Sequence, residues 1–289
     1  SSSSSSSSSS SHTIHNTSSR TSITNRPERR ARLEAVARRK QRGFFVVLEA
    51  PSKINNVAAI MRTCDALGVT KLLLVAPQDG LLPGNKHHGA TENAQVSTRT
   101  DGIGCRDDEI FSGEILRRCS ASANFWVETQ VFDTVAECAG FLDAMCVTSY
   151  GTVLRAESRQ LWDTVFQLDG VGDNGVAVNK VALWFGTEVS GLSEAAVRYC
   201  ERHVCVPMRG MVESLNLSVC VGMVAGEVVR QRLAFVRAEG GTARTTSLSA
   251  EDQAAWVARM SARAGKRRRR REGLGSAGAD ADVHLAGKN

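Results

Sequence analysis

Apolar and polar positions alternate in blocks along this chain. Phe44-Phe-Val-Val-Leu-Glu-Ala50 is a short run rich in β-formers and predicts a strand. Val57, Ile60, Met61, Cys64 and Leu67 follow at i, i+3, i+4 spacing, which predicts a helix over 55–67 that Gly68 stops. Lys71-Leu-Leu-Leu-Val75 predicts the next strand. The same reading places a helix near 109–119, a strand near 126–131, a helix near 133–145 and strands near 150–155 and 180–186. A helix near 193–201, a strand at 203–207 and a long helix from about 215 to 235 complete it. Strands alternating with helices imply an α/β fold, a parallel sheet with helices on both faces.

Several segments fall outside this alternation. Residues 1–27 open with eleven serines and hold no acid, a composition that suits a disordered segment or an organelle targeting peptide. Residues 29–42 suit a basic helix, with Leu33 and Val36 on one side and Arg30, Arg38 and Arg39 elsewhere. Residues 78–108 are polar and glycine-rich, as in a loop or insertion. Past 238, Gly240-Gly241 marks a linker, and Ser249-Ala-Glu-Asp252 resembles a capping box opening a short helix toward Arg263. Lys266 to Arg271 is unbroken basic sequence. The expected organisation is a leading segment (1–27), a globular α/β domain (28–237) and a basic C-terminal extension (238–289).

Charge sharpens that division. Residues 1–42 hold nine Lys/Arg against two acids, residues 43–237 hold 17 against 22, and residues 238–289 hold ten against six. A mildly acidic body with basic ends points to a globular catalyst whose arms meet a polyanion, although basic ends also aid solubility. The eight cysteines are scattered without a Cys-x-x-Cys pair, as expected of free thiols in a reducing intracellular compartment, cytoplasmic or organellar. Cys200, His203 and Cys205 lack a second ligand pair at usable spacing, so no metal is expected. No apolar run reaches the roughly 18 residues a membrane helix needs, so no membrane partner is expected.

The common nucleotide cradles are missing. The first strand-to-helix junction, Glu49-Ala-Pro-Ser-Lys-Ile-Asn-Asn-Val57, holds no glycine, whereas a dinucleotide site wants Gly-x-Gly-x-x-Gly there. No Gly-x-x-x-x-Gly-Lys-Ser/Thr appears either. Three other segments stand out. Asn55-Asn56-Val-Ala-Ala-Ile-Met-Arg62 puts polar side chains on an otherwise apolar helix, which is also how an ordinary helix start with a surface arginine reads. Ala182-Leu-Trp-Phe-Gly186-Thr-Glu188-Val-Ser-Gly191 ends an apolar strand in glycines, as a tight turn or a close ligand approach requires. Val204-Cys-Val-Pro-Met-Arg-Gly210-Met-Val-Glu-Ser214-Leu-Asn216 runs from a strand into a helix start, where Ser and Asn serve as caps or present amides to an anion.

In this order the three segments resemble the motifs of the SpoU/TrmH branch of the SPOUT RNA methyltransferases, over roughly residues 28–237. Pro207-Met-Arg-Gly-Met-Val-Glu-Ser-Leu-Asn-Leu-Ser-Val219 is similar to the tRNA guanosine 2′-O-methyltransferases of that branch. The resemblance implies an α/β trefoil knot, a homodimer, S-adenosyl-L-methionine as cofactor and RNA as substrate. It points first to the D-loop guanosine at position 18 of tRNA, with ribosomal RNA as the alternative. A catalytically inactive RNA-binding relative is disfavoured, because the polar motif positions are all present. The resemblance also assigns roles. Gly186, Gly191, Val206, Met208 and Leu215 would hold cofactor, and a further contact would fall near Leu154-Arg155-Ala156, where small polar residues are expected instead. Asn56, Glu188, Ser214 and Asn216 would surround the methyl and the ribose, and Arg62 would act across the dimer.

The implied chemistry is in-line attack of a 2′-oxygen on an electrophilic methyl, a reaction that alignment can speed by roughly 7–11 kcal/mol of barrier. Arginine is a poor base, with a pKa ordinarily above about 12. Arg62 therefore either has a strongly depressed pKa or stabilises the developing oxyanion. The sequence leaves both open.

Overall fold

The computed structural model describes residues 26–77, 120, 122–166, 180–238 and 246–265. The expected loop or insertion at 78–108, the helix near 109–119, the Gly240-Gly241 linker and the 266–271 basic run lie outside the described residues. The strands are β1 (Phe44–Glu49), β2 (Lys71–Val75), β3 (Glu128–Phe132), β4 (Thr148–Thr152), β5 (Arg159–Gln160), β6 (Val181–Phe185) and β7 (Arg202–Cys205). They form one sheet in the order β3-β2-β1-β6-β4-β7-β5, with every pairing parallel. Among the described residues the helices are α1 (Arg26–Ala37), α2 (Ile54–Leu67), α3 (Val135–Ala144), α4 (Glu194–Tyr199), α5 (Leu217–Ala238) and α6, over 250–265.

The period of two in β1 explains the layering. Phe44, Val46 and Leu48 face α2 through Val57, Ile60 and Met61, and α5 through Val221, Val224 and Val228. Phe45 and Val47 face the other way, joining Leu73, Trp184, Leu142 of α3 and Ala196 of α4. All six β1 residues are buried, as a strand covered on both faces must be. α2 ends at Gly68, whose φ of 71° lets its N–H reach the Cys64 and Asp65 carbonyls. A side chain there would also stand 2.9 Å from the Arg39 carbonyl oxygen.

Two expectations shift, and one short strand is not foreseen. The basic helix expected over 29–42 ends at Ala37, because the following backbone finds tertiary partners. Gln41 N–H donates to Gly68 O at 2.7 Å and Arg42 N–H to Thr246 O at 2.7 Å, which outweighs helix propensity. The strand expected at 150–155 occupies Thr148–Thr152 instead, since pairing with β6 begins at Thr148 opposite Val181. The short β5 carries no apolar period that a sequence reading could detect; both of its residues are exposed.

The C-terminal segment packs on the body. Ser249 Oγ accepts the Asp252 N–H at 3.0 Å and donates to Asp252 Oδ2 at 2.7 Å, capping α6 as its sequence predicts. Leu248, Trp256 and Met260 cluster with Leu33 and Ala37 of α1, and Arg259 pairs with Glu128 at 2.7 Å. Lys40 lies buried beneath, 5.5 Å from the Trp256 ring and 3.6 Å from Asp65, and burial lowers its pKa. Among the described residues no helix is long and apolar enough to cross a membrane. Trp256→Ala should lower the stability of this packing by about 3–5 kcal/mol in urea unfolding. An unchanged midpoint would show that α6 adds nothing to the folded core.

Candidate active site

A cavity of about 520 Å³ opens at the carboxyl ends of β4, β6 and β7, where open α/β sheets place their ligands. Its walls include 152–155, 185–192, Glu194, 204–206, Met208, 213–215 and Cys220. The middle segment sets its shape. Beyond β6 the chain doubles back: Thr187 N–H donates to Gly191 O at 3.0 Å and Gly191 N–H returns to Thr187 O at 3.1 Å. Ser190 N–H donates to Thr187 Oγ1 at 2.9 Å, and Gly191 takes a φ of 66° to close the turn. The returning backbone passes so close to Gly186 that a Cβ there would lie 1.9 Å from the Gly191 carbonyl carbon. Only glycine fits.

The turn is anchored at both ends. Ser193 N–H donates to the buried Glu49 carboxylate at 2.8 Å, and Ser193 Oγ caps α4 by accepting Ala196 N–H at 3.2 Å. Glu188, at the tip, has a carboxylate that accepts a short hydrogen bond from Asn56 Nδ2. Lys53 Nζ stands 3.7 Å from the same oxygen. Asn216 Nδ2 donates to Asn56 Oδ1 at 3.3 Å, while Asn216 Oδ1 accepts Ser218 N–H at 2.9 Å. One polar chain thus joins the start of α2, the turn after β6 and the start of α5.

Of the residues singled out in the sequence, Gly186, Glu188, Gly191, Val206, Met208, Ser214 and Leu215 line the cavity. Asn56 meets them through Glu188, and Asn216 joins through Asn56. Arg62 does not join: it is exposed on α2 and does not line the cavity. Leu154 and Arg155 do line it, and Arg155 pairs with Glu194 at 2.5 Å. Sequence reasoning misses Glu49 and Lys53. The signal for Glu49 is a carboxylate ending an apolar strand; for Lys53 it is only proximity to Asn56.

Thiol chemistry is disfavoured here, because burial pushes the Cys220 thiol on the cavity wall up to about 11. Among the described residues no three His, Cys, Asp or Glu side chains converge as a metal site would require. His203 shares a 3.0 Å hydrogen bond with the Val197 carbonyl.

Comparison with known proteins decides the family. The chain is 30% identical over 205 residues to the tRNA (guanosine(18)-2′-O)-methyltransferase of Thermus thermophilus, a match spanning 71% of this chain and 84% of that enzyme. The chain belongs to the SpoU methylase family. The model of the SpoU rRNA methylase family matches residues 101–226. The 23S rRNA (guanosine-2′-O-)-methyltransferase RlmB of Xanthomonas axonopodis is 28% identical over 66% of this chain and 60% of its own length. The fold is similar to that of the A. aeolicus TrmH/SpoU tRNA modifying enzyme, with a TM-score of 0.58 and 23% identity over 81% of this chain and 95% of that one. As a SpoU-family RNA methyltransferase, the protein has its candidate pocket in a glycine-pinned turn rather than a phosphate loop. Gly186→Ala should therefore weaken ligand binding in calorimetry and cost about 1–3 kcal/mol of stability, since backbone must move to admit the methyl group. Wild-type binding and stability in that variant would contradict the close packing.

Proposed function

We propose that this SpoU-family enzyme methylates the ribose 2′-hydroxyl of a tRNA guanosine, using S-adenosyl-L-methionine and working as a homodimer. The observation that carries the reading is the Glu188–Asn56–Asn216 chain at the rim of the β4–β6–β7 cavity. The cavity's lining fits the cofactor: Leu154, Val206 and Leu215 offer apolar wall, and the carboxylates of Glu188, Glu194 and Glu213 suit a ligand with positive charge. When bound, S-adenosylmethionine supplies an electrophilic methyl on a cationic sulfur. The protein's part is to hold and orient. Gly186 and Gly191 shape the turn, Val206, Met208 and Leu215 bound the site, and Glu188 is held in place by Asn56. In this reading Ser214 and Asn216 serve the target ribose, as the family resemblance implies. The trefoil knot implied by the family resemblance, with the C-terminal segment threaded through a loop and its helix packed beneath, belongs to this reading.

The homodimer rests on Arg62. It lies on the open side of α2, apart from its own subunit's cavity, and no described side chain pairs with it. Beside α2, α5 leaves Val219 49% and Leu233 45% exposed. Those two are fourteen residues apart, close to four turns, and so share a face. A second copy covering that face would carry Arg62 to the neighbour's cavity. There a fixed guanidinium stabilises the negative charge that develops on the 2′-oxygen as its proton passes to solvent water, a role that suits arginine better than taking the proton itself. No part of this scheme calls for a metal or a membrane, and the cytoplasm and an RNA-containing organelle suit it equally.

The tRNA reading is preferred to ribosomal RNA because the similarity spans 84% of the Thermus tRNA enzyme but 60% of the Xanthomonas rRNA enzyme. Incubating the protein with total RNA and labelled cofactor, then mapping ribose methyls, should place the label on guanosine 18 of tRNA. Label confined to ribosomal RNA would overturn the substrate assignment, and no label in any RNA would overturn the activity.

The basic ends supply affinity in this scheme. For every phosphate the protein no longer neutralises, the slope of log K against log salt should fall by about 0.7–0.9. Deleting residues 266–289 leaves Met260 and the Arg259–Glu128 pair in place, so the fold is spared. The truncated enzyme should bind tRNA more weakly with a flatter slope, at a nearly unchanged maximal rate. An unchanged slope would show that the arginine run does not touch RNA.

A further inference from the structure

We infer that Arg155 is the cofactor's carboxylate-binding residue, released from Glu194 when the ligand's amino-acid end enters the cavity. This rests on the S-adenosylmethionine reading given above. That ligand carries a sulfonium, an ammonium and a single carboxylate, so its site needs one cation among otherwise neutral or acidic groups. The cavity has that composition. Three carboxylates, Glu188, Glu194 and Glu213, line it, and among the described residues Arg155 is the one basic side chain that does.

Arg155 is also held so that it can be released. Its Nη2 donates to Glu194 Oε1 at 2.5 Å, but the two side chains are 38% and 66% exposed. An ion pair that open to water stabilises little, so exchanging one carboxylate for another is nearly neutral for the protein. The guanidinium gains a planar carboxylate it can grip with two parallel N–H groups. Glu194 sits in the first turn of α4, where the helix dipole still favours its charge once Arg155 has left. Val153 N–H donates to Val204 O at 3.1 Å and Ser158 N–H to Arg155 O at 3.0 Å, which holds the arginine's backbone at the cavity wall.

Calorimetry on the full chain with two probes tests this. S-adenosylhomocysteine carries the amino-acid end; 5′-methylthioadenosine lacks it. Arg155→Ala should weaken S-adenosylhomocysteine about ten- to hundredfold, the range for losing a charge-assisted hydrogen bond, and leave 5′-methylthioadenosine unchanged. Equal affinities for wild type and Arg155→Ala would overturn the inference, as would equal weakening of both probes, which would place Arg155's effect elsewhere in the cavity. Wild-type protein that binds neither probe would instead refute the cofactor reading on which the inference rests.

Discussion

The close approach of Gly186 to the Gly191–Leu192 backbone is the constraint on which the rest of this site depends. β1 and β6 run level, with Leu48 opposite Phe185, so the turn after β6 emerges beside the end of β1. Because no side chain separates Gly186 from the returning chain, the turn folds tightly enough to put Ser193 on the Glu49 carboxylate and Glu188 beside Asn56. Two residues far apart in sequence thereby become hydrogen-bond partners. The missing phosphate loop is not a defect in this arrangement. Backbone held at van der Waals distance does the shaping that a glycine-rich loop does in other α/β folds.

Charge is divided between functions in the same molecule. The cavity is acidic, with one arginine among three carboxylates of the described residues, and so suits a small cationic ligand. The ends of the chain are basic, nine Lys/Arg against two acids before Gly43 and ten against six after Arg237, and suit a polyanion. These two demands conflict if they share a surface. Among the described residues they do not share one: α1 and α6 pack on each other through Leu33, Trp256 and Met260, apart from the β4–β6–β7 cavity.

Much of this was legible in the sequence for a simple reason. A strand buried on both faces must be apolar throughout, so Phe44–Leu48 and Val181–Phe185 announce themselves, and α2 shows its inward stripe at helical spacing. The glycines after β6 were legible because only a backbone constraint accounts for them. What escaped depends on tertiary partners. Nothing local says that Gln41 will leave a helix to bond Gly68, or that Lys40 will be buried beneath Trp256. Likewise Lys53 reads as a surface residue until Glu188, distant in sequence, is placed 3.7 Å away. Arg155 reads as a departure from a family pattern until the described cavity wall is seen to hold no other cation.

The central claim is that one subunit's Glu188–Asn56 cavity is completed by the other subunit's Arg62. Mixing two inactive variants tests it directly. Arg62→Ala keeps its pocket and loses the guanidinium; Leu215→Arg keeps the guanidinium and fills its pocket. After subunit exchange about half the dimers should be mixed, each with one intact composite site, and methyl transfer should return to roughly a quarter of wild type for independent sites. No recovery, with mixed dimers confirmed by mass spectrometry, would mean that Arg62 does not act across the interface.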